Sequence, residues 1–486
     1  MFATPLETHD HQRLSSVEEI AAFVAQLATE LPGARLWPLG VSAGGRALTA
    51  LHIAARDPHA AGLRVLLVGS QHGASEAAGG EALLMLARAL LTGGAGSGLE
   101  QLEFVIYPDA NPDGRALDSS RNAEDVNINR DFVLLTQPET RALDRLLREF
   151  APHVVLDAHE SAVLKTKTLA REGYMTDFET QFDSANNPAI PAALRTYSET
   201  VMLPGLIAGV AAHGVPAQRY LREILSLSQV LTNGGLTARK FRNRAGLSGA
   251  LSFLLETRLD PTHAQYASFR NIAVRTAKQL LAQRVFITLV AAQRQRILAL
   301  LQGHALSRAP LALDPAYSAA QPPRSVRVPL RAIADGELRV LEFPDHRRVV
   351  WGPAIDLAAQ YWITAQQVAF ARLLDRHGFP HTTLTTPLHR QVIVQDLPLA
   401  GAPWPPTRCL LRALPAGSLC VPVAGPRARL LVLLLEPRST SCVFHYGAYA
   451  QMVSAGGECF VWRDQQGGQQ AAVVRDDDNP GLGGRV

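Results

Sequence analysis

Short apolar runs that end in polar turns alternate with helical segments from Ser16 to about Leu301, and that alternation narrows the choice of fold more than any other feature. Ser16 and Glu19 form a capping box, and Ile20, Phe23, Val24, Leu27 and Leu31 then fall on one helical face before Pro32-Gly33 stops the run. Leu63 to Val68, bounded by Gly62 and Gly69, reads as a buried strand, Glu81 to Leu91 as a helix and Leu102 to Tyr107 as a strand. Thr136-Gln-Pro-Glu139 opens a helix ending near Phe150, and Ala192 to Ala212 is helical. Val154 to Leu156 and Leu251 to Leu255 are two more buried strands, and a long amphipathic stretch from His263 to Leu301 closes the region. The pattern predicts an α/β fold with a mostly parallel or mixed central sheet flanked by helices.

A chain of 486 residues exceeds one core of ordinary size, so two domains are expected. The reading places an α/β domain over 1–305, a Pro-, Ala- and Ser-rich linker over 306–327, a smaller β-rich C-terminal domain over 328–463, and a disordered Gln-, Gly- and Asp-rich tail over 464–486. Within the second domain, Val326 to Leu330, Leu338 to Phe343, Arg429 to Leu435 and Cys459 to Trp462 read as strands. One helix interrupts them, capped by Thr364 and Gln367 and ended by Gly378.

Charge removes several function classes. The net charge is +4, but only four of the cations are Lys (Lys165, Lys167, Lys240, Lys278), and the Arg residues are scattered rather than blocked. No nucleic-acid footprint is expected. No apolar run reaches the ~18 residues that span a bilayer, so no membrane partner is expected either. The N-terminal residues show neither the charged nor the apolar region of a signal peptide, which points to a cytoplasmic protein. Cys409, Cys420, Cys442 and Cys459 lack paired metal-site spacing and read as ordinary thiols, so a hard metal in the first 400 residues must use His, Asp or Glu.

Three segments carry chemistry. Gly69-Ser-Gln-His72-Gly-Ala-Ser-Glu76 follows one buried strand, and Asp157-Ala-His159-Glu160 ends another. Ligands of open parallel sheets bind at the carboxyl ends of the strands, where two His and one Glu can converge on one ion and leave a fourth position for water. Between Tyr107 and Pro138 lies a polar loop with Arg121-Asn122 and Asn129-Arg130. Loops of that length in a compact domain are usually functional or disordered, and Arg grips a carboxylate bidentately.

In order and spacing these segments resemble the zinc carboxypeptidase family, the carboxypeptidase A-like metallopeptidases. The resemblance runs over residues 15–260 through Gly40-Val-Ser-Ala-Gly-Gly-Arg46, Gln71-His72 to Glu76, Asn111-Pro-Asp-Gly114, Asn127-Ile-Asn-Arg-Asp-Phe132, Asp157-Ala-His-Glu160, Arg242-Asn-Arg244 and Ser252-Phe-Leu-Leu-Glu-Thr-Arg258. Val421-Pro-Val423 and Leu435-Glu-Pro-Arg-Ser439 are similar to the accessory domain of large bacterial members. The resemblance implies one Zn2+ per chain on His72, Glu76 and His159. It makes Glu256 the general base and Arg121 the group that steadies the oxyanion. Asn129 and Arg130 would hold the substrate's terminal carboxylate, Tyr220 would be the mobile tyrosine over the substrate, and Arg239 would line the specificity side of the pocket. The substrate implied is a peptide or a modified amino acid with a free carboxylate. Such chemistry uses the water that zinc brings to a pKa near ~7, a carboxylate to move its proton, and a fixed cation near the carbonyl.

Two departures from the family pattern stand out. The family has His-x-x-Glu where this chain has His72-x-x-x-Glu76, and usually Asp where Asn127 stands. That Asp orients a ligand histidine, and the Asn127 carbonyl oxygen can accept the same hydrogen bond more weakly. Two rival readings follow: an aspartoacylase- or desuccinylase-like amino-acid deacylase, and a zinc-free pseudoenzyme that binds peptide termini.

Overall fold

The computed structural model describes residues 2–56, 62–96, 98–164, 167–260, 271–303, 309–352 and 354–465. The chain forms two compact units, one of Met1–Phe132, Thr136–Ser307 and Pro315–Val350, the other of Val133–Leu135, Arg308–Asp314 and Trp351–Val486.

Up to Arg258 the described residues of the first unit form nine strands: β1 (Ala34–Val41), β2 (Ala47–Ile53), β3 (Leu63–Val68), β4 (Leu102–Tyr107), β5 (Val154–Ser161), β6 (Tyr174–Thr176), β7 (Thr180–Ser184), β8 (Ala217–Arg219) and β9 (Leu251–Arg258). All but β6 join one eight-stranded sheet in the order β1-β2-β4-β3-β5-β9-β7-β8. The central pairings of β3 with β4 and β5, and of β5 with β9, are parallel, whereas β1–β2, β2–β4 and β7–β9 are antiparallel. The sheet is therefore mixed, parallel where the apolar runs are buried on both faces. Val65 to Val68, Val154 to Ala158 and Phe253 are buried, as the continuous hydrophobicity of those runs requires.

Helices cover the sheet. Val17–Glu30 starts at the Ser16–Glu19 capping box and buries Ile20, Phe23, Val24 and Leu27. Ala78–Thr92 approaches the sheet closely because its first turn is glycine: a Cβ on Gly80 would lie 2.2 Å from the Pro108 carbonyl oxygen. Ile272–Ala292 lies behind β5 and β9, and its Gln279 amide donates to the His159 carbonyl oxygen at 2.7 Å. Arg294–Gln302 follows it, and residues 263–270 of the expected amphipathic stretch lie outside the described residues.

The expected division of the chain shifts. Residues 315–350 fold with the first unit rather than serving as a linker and the start of the second. Ser325–Ala332 pairs with Leu338–Pro344 on one side and with β6 on the other. Its inward residues Val326, Val328 and Leu330, with Phe343, share an apolar cluster with Leu169, Phe178, Leu221 and Ile224. Alternating hydrophobicity over Ser325–Ala332 outweighs the Pro- and Ala-rich composition around it, because a two-residue period buries a whole strand face at once.

The second unit is β-rich, with a six-stranded antiparallel sheet of Thr382–Thr383, Leu419–Pro422, Gln360–Ile363, Val461–Asp464, Leu388–Val394 and Arg408–Leu414 in that spatial order. Gln367–His377 forms the expected helix, although its N-cap is Gln366 in the left-handed region. The run expected as a strand at Arg429 to Leu435 is instead a helix, Ala428–Leu435, buried from Leu430 to Leu435. A short run that is apolar on every side has no period, so burial could not tell the two conformations apart. The tail expected over 464–486 lies outside the described residues beyond Gln465. Among the described residues no helix is long and apolar enough to cross a membrane. The four cysteines are free thiols.

Candidate metal centre

The parallel strands β3, β5 and β9 bring their carboxyl ends to one edge of the sheet, where His72, His159 and Glu256 arrive. The register sets His159 directly beside Glu256 across the β5–β9 ladder. His72 and Glu76 come from the turn after β3, and one ligand atom from each of His72, Glu76 and His159 lies within 4.8 Å of the others. The facing atoms are Nδ1 of each ring: His72 Nδ1 is 2.8 Å from Glu76 Oε1, and His159 Nδ1 is 2.8 Å from Glu76 Oε2.

The extra residue between His72 and Glu76 is absorbed by a 3-10 turn over Gly73–Glu76. Gly73 sits at φ +52, and a Cβ there would lie 2.4 Å from the Gly114 carbonyl carbon, so only glycine suits the position. Glu76 still reaches both histidines. Glu81 takes no part. It is buried with Arg115 at 3.0 Å, and the Ser15 hydroxyl donates to it at 2.7 Å.

Electrostatics ties the three groups together. Burial alone would raise the Glu76 carboxyl, but His72 and His159 pull it well below the usual carboxylate range. Burial opposes charge on His159, yet Asp157 and Glu76 hold it well above an ordinary imidazole. Asp157 lies two residues earlier on the same strand face, 3.0 Å from His159 Nε2. Its other oxygen accepts from the Gln71 amide at 2.5 Å. This carboxylate–imidazole pair was not singled out in the sequence, although Asp-x-His on a strand is enough to place both side chains on one face. His72 has no such support: its Nε2 and the Asn127 Oδ1 are both buried without a hydrogen-bond partner.

A cavity of about 220 Å³ opens beside the centre. Glu76, Glu256, Arg130 and Tyr220 line one end, and Leu169, Phe178, Leu221 and Ile224 form an apolar wall. Burial, then Glu76, push the Glu256 carboxyl up to about 8, against His159 and Lys240. The Tyr220 phenol is raised by burial and then by Glu256. Burial and the neighbouring Arg239 lower the Arg130 guanidinium.

Three expected site residues are not among those that line the cavity. Arg121 is exposed, donates to the Asp125 carbonyl oxygen at 2.7 Å and does not line the cavity. Both ends of the buried Asn129 amide are engaged: Oδ1 accepts from the Phe241 backbone at 2.9 Å, and Nδ2 lies 3.3 Å from His159 Nε2. It ties the loop to the centre. Arg239 is exposed, and its Nε donates to the Arg130 carbonyl oxygen at 3.1 Å, so it braces the Arg130 turn rather than lining the cavity. In each case a loop conformation that no periodicity predicts decides where the side chain points.

Two imidazole nitrogens and a carboxylate, with a carboxylate behind one imidazole, are a donor set that suits Zn2+. A model of the family "Zinc carboxypeptidase" matches residues 20–149. Probable carboxypeptidase 2 of Trichophyton verrucosum (strain HKI 0517) is 31% identical over 215 residues, 43% of this chain and 41% of that protein. Carboxypeptidase 2 of Trichophyton rubrum is 30% identical over 215 residues, 43% of this chain and 40% of that protein. The chain thus spans about two fifths of the length of these relatives. A metallo-carboxypeptidase from Burkholderia cenocepacia superposes with a TM-score of 0.44 at 18% identity, over 57% of this chain and 69% of that one. The stretch that matches the zinc carboxypeptidase family model, residues 20–149, includes His72 and Glu76.

Proposed function

We propose that this protein is a zinc-dependent metallocarboxypeptidase that hydrolyses the last peptide bond of a substrate with a free carboxylate. The observation that carries the reading is the convergence of His72, Glu76 and His159 within 4.8 Å, with Glu76 also lining a cavity shared with Glu256, Arg130 and Tyr220. One Zn2+ would be held by His72 Nδ1, the Glu76 carboxylate and His159 Nδ1, where it would polarise a carbonyl and acidify water.

The chain's own side chains supply the rest. Arg130 makes no ion pair among the described residues and offers its guanidinium to the terminal carboxylate, which fixes the scissile bond relative to Glu256. Glu256 takes a proton from the attacking water and returns it to the leaving amine. Tyr220 closes the cavity beside Glu256 and keeps bulk water from the reacting groups. Arg121 would reach the oxyanion only after leaving Asp125, so that role would rest with the metal centre.

The test is release of amino acids from a mixed peptide pool by zinc-loaded protein, with and without a chelator, alongside Glu256→Gln. Chelator-sensitive release of C-terminal residues is expected, and Glu256→Gln should lower the rate about 10²–10⁴-fold while zinc content stays at one per chain. Zinc-loaded protein that frees no terminal residue, yet removes acyl groups from amino acids, would replace this reading with the deacylase one.

A further inference from the structure

The strand register carries the row of side chains at the centre one strand further than the proposed chemistry uses. His159 on β5 stands opposite Glu256 on β9, and Glu256 stands opposite Gln181 on β7. Residues directly opposite across a ladder project to one face, with Cβ atoms about 4.5–5.5 Å apart. His159, Glu256 and Gln181 therefore form one rung, with the metal-binding atoms at one end and Gln181 at the other. A peptide bond held over Glu256 with its carbonyl toward the metal centre has its leaving residue toward Gln181.

Gln181 is 7% exposed and lines the same cavity as Glu76, Glu256 and Tyr220. The backbone orients its amide. Oε1 accepts from the Leu221 N–H at 3.1 Å, and a backbone N–H can only donate, so the oxygen must face it. The amide nitrogen has no hydrogen-bond partner among the described residues and is not sealed inside the protein, so its N–H groups open on the cavity. Leu221 belongs to the apolar wall with Leu169, Phe178 and Ile224, so the amide stands where the reacting end gives way to that wall.

Unpaired donors in a partly desolvated cavity are costly and are relieved by a ligand that offers an acceptor. The apolar wall suits a hydrocarbon stem, and the amide at its entrance suits an oxygen on that stem. Glu76, Glu223 and Glu256 line the cavity against Arg130 and Arg222, and the terminal carboxylate would occupy Arg130. That balance favours a neutral acceptor over a second carboxylate. A carboxamide meets both conditions: its oxygen accepts from Gln181 Nε2, and its nitrogen can donate to the second lone pair of Gln181 Oε1. We propose that Gln181 is a specificity-determining residue that reads a side-chain carboxamide, so that the preferred terminal residue of the substrate is glutamine. This rests on the carboxypeptidase reading for its placement at the chain end, but not for its binding chemistry.

The test separates the two. Calorimetry on zinc-loaded protein would compare free L-glutamine, L-methionine, L-glutamate and L-lysine in wild type, Gln181→Met and Gln181→Glu, with zinc content and circular dichroism confirming that each variant is folded. Methionine matches glutamine in length but has no oxygen to offer. Glutamine should bind about tenfold more tightly than methionine, and more tightly than glutamate, because a donor left unpaired by the wrong side chain costs about 1–3 kcal/mol. Gln181→Met should erase the advantage of glutamine over methionine. Gln181→Glu keeps an oxygen for the Leu221 N–H and should turn the preference toward lysine. Glutamine binding no tighter than methionine, an advantage that survives Gln181→Met, or no gain for lysine in Gln181→Glu would overturn the proposal. Failure of the carboxypeptidase reading would show differently, as no release from peptides ending in glutamine or methionine, while the binding comparison would still decide the role of Gln181.

Discussion

Replacing Arg275 with Met should destabilise the first unit far more than removal of a surface cation. Arg275 lies on the helix behind β5, and its Nε and Nη2 each meet a Glu160 oxygen at 2.7 Å. The two side chains are 2% and 0% exposed. Among the described residues Glu160 has one backbone donor besides, Ala78 N at 3.0 Å. Met leaves that carboxylate buried with a single backbone partner, and breaking a buried pair from one side costs about 3–5 kcal/mol. Arg275→Met/Glu160→Leu, which removes both charges, should recover most of the loss. The assay is urea unfolding of the full chain, following the transition that zinc shifts upward, since a metal bound to the folded form raises the stability of the unit holding it. Zinc affinity should fall in parallel, because the Glu160 amide donates to Glu76 Oε2 at 3.2 Å and Ala78 begins the helix just beyond Glu76. A cost below about 1 kcal/mol for Arg275→Met, the value of a solvated surface pair, would refute the reasoning.

Asp157→Asn should weaken zinc binding by roughly 10–100-fold in a competitive chelator titration, because the carboxylate that orients His159 is lost; unchanged affinity would mean the ring is held by packing alone. Gly73→Ala should lower zinc occupancy in the isolated protein, since the added Cβ meets the Gly114 carbonyl carbon at 2.4 Å and the turn that carries Glu76 must move. Burial, then Arg64, hold the His153 imidazole down to about 4, while the unfolded chain keeps the ordinary value near ~6.5. The folded state thus binds fewer protons in that window, and stability is lost as pH falls from about 6.5 to about 4. His153→Asn should flatten that part of the urea-midpoint profile, and identical slopes in the two proteins would rule the assignment out.

The site became legible in the sequence where strands set it. His159 and Glu256 end apolar runs, and a parallel register brings such ends to one edge. The loop residues followed no such rule. Asn129 and Arg239 are turned to bracing contacts, and Arg121 to Asp125, because turns place side chains by local hydrogen bonds that leave no periodic trace.

From sequence alone came the α/β class, the β-rich character of the second part, and the candidate ligands His72, Glu76 and His159. These rest on period and position, which local chemistry dictates, whereas Glu256 came from the resemblance to a known family. Only tertiary structure decided that the strand Ser325–Ala332 packs against Leu169 and Phe178, that Ala428–Leu435 coils into a helix, and that the 3-10 turn after His72 brings Glu76 to both His72 and His159. Each of these depends on what lies opposite in space. A buried apolar face takes whichever partner covers it, and a turn closes only around the backbone it meets.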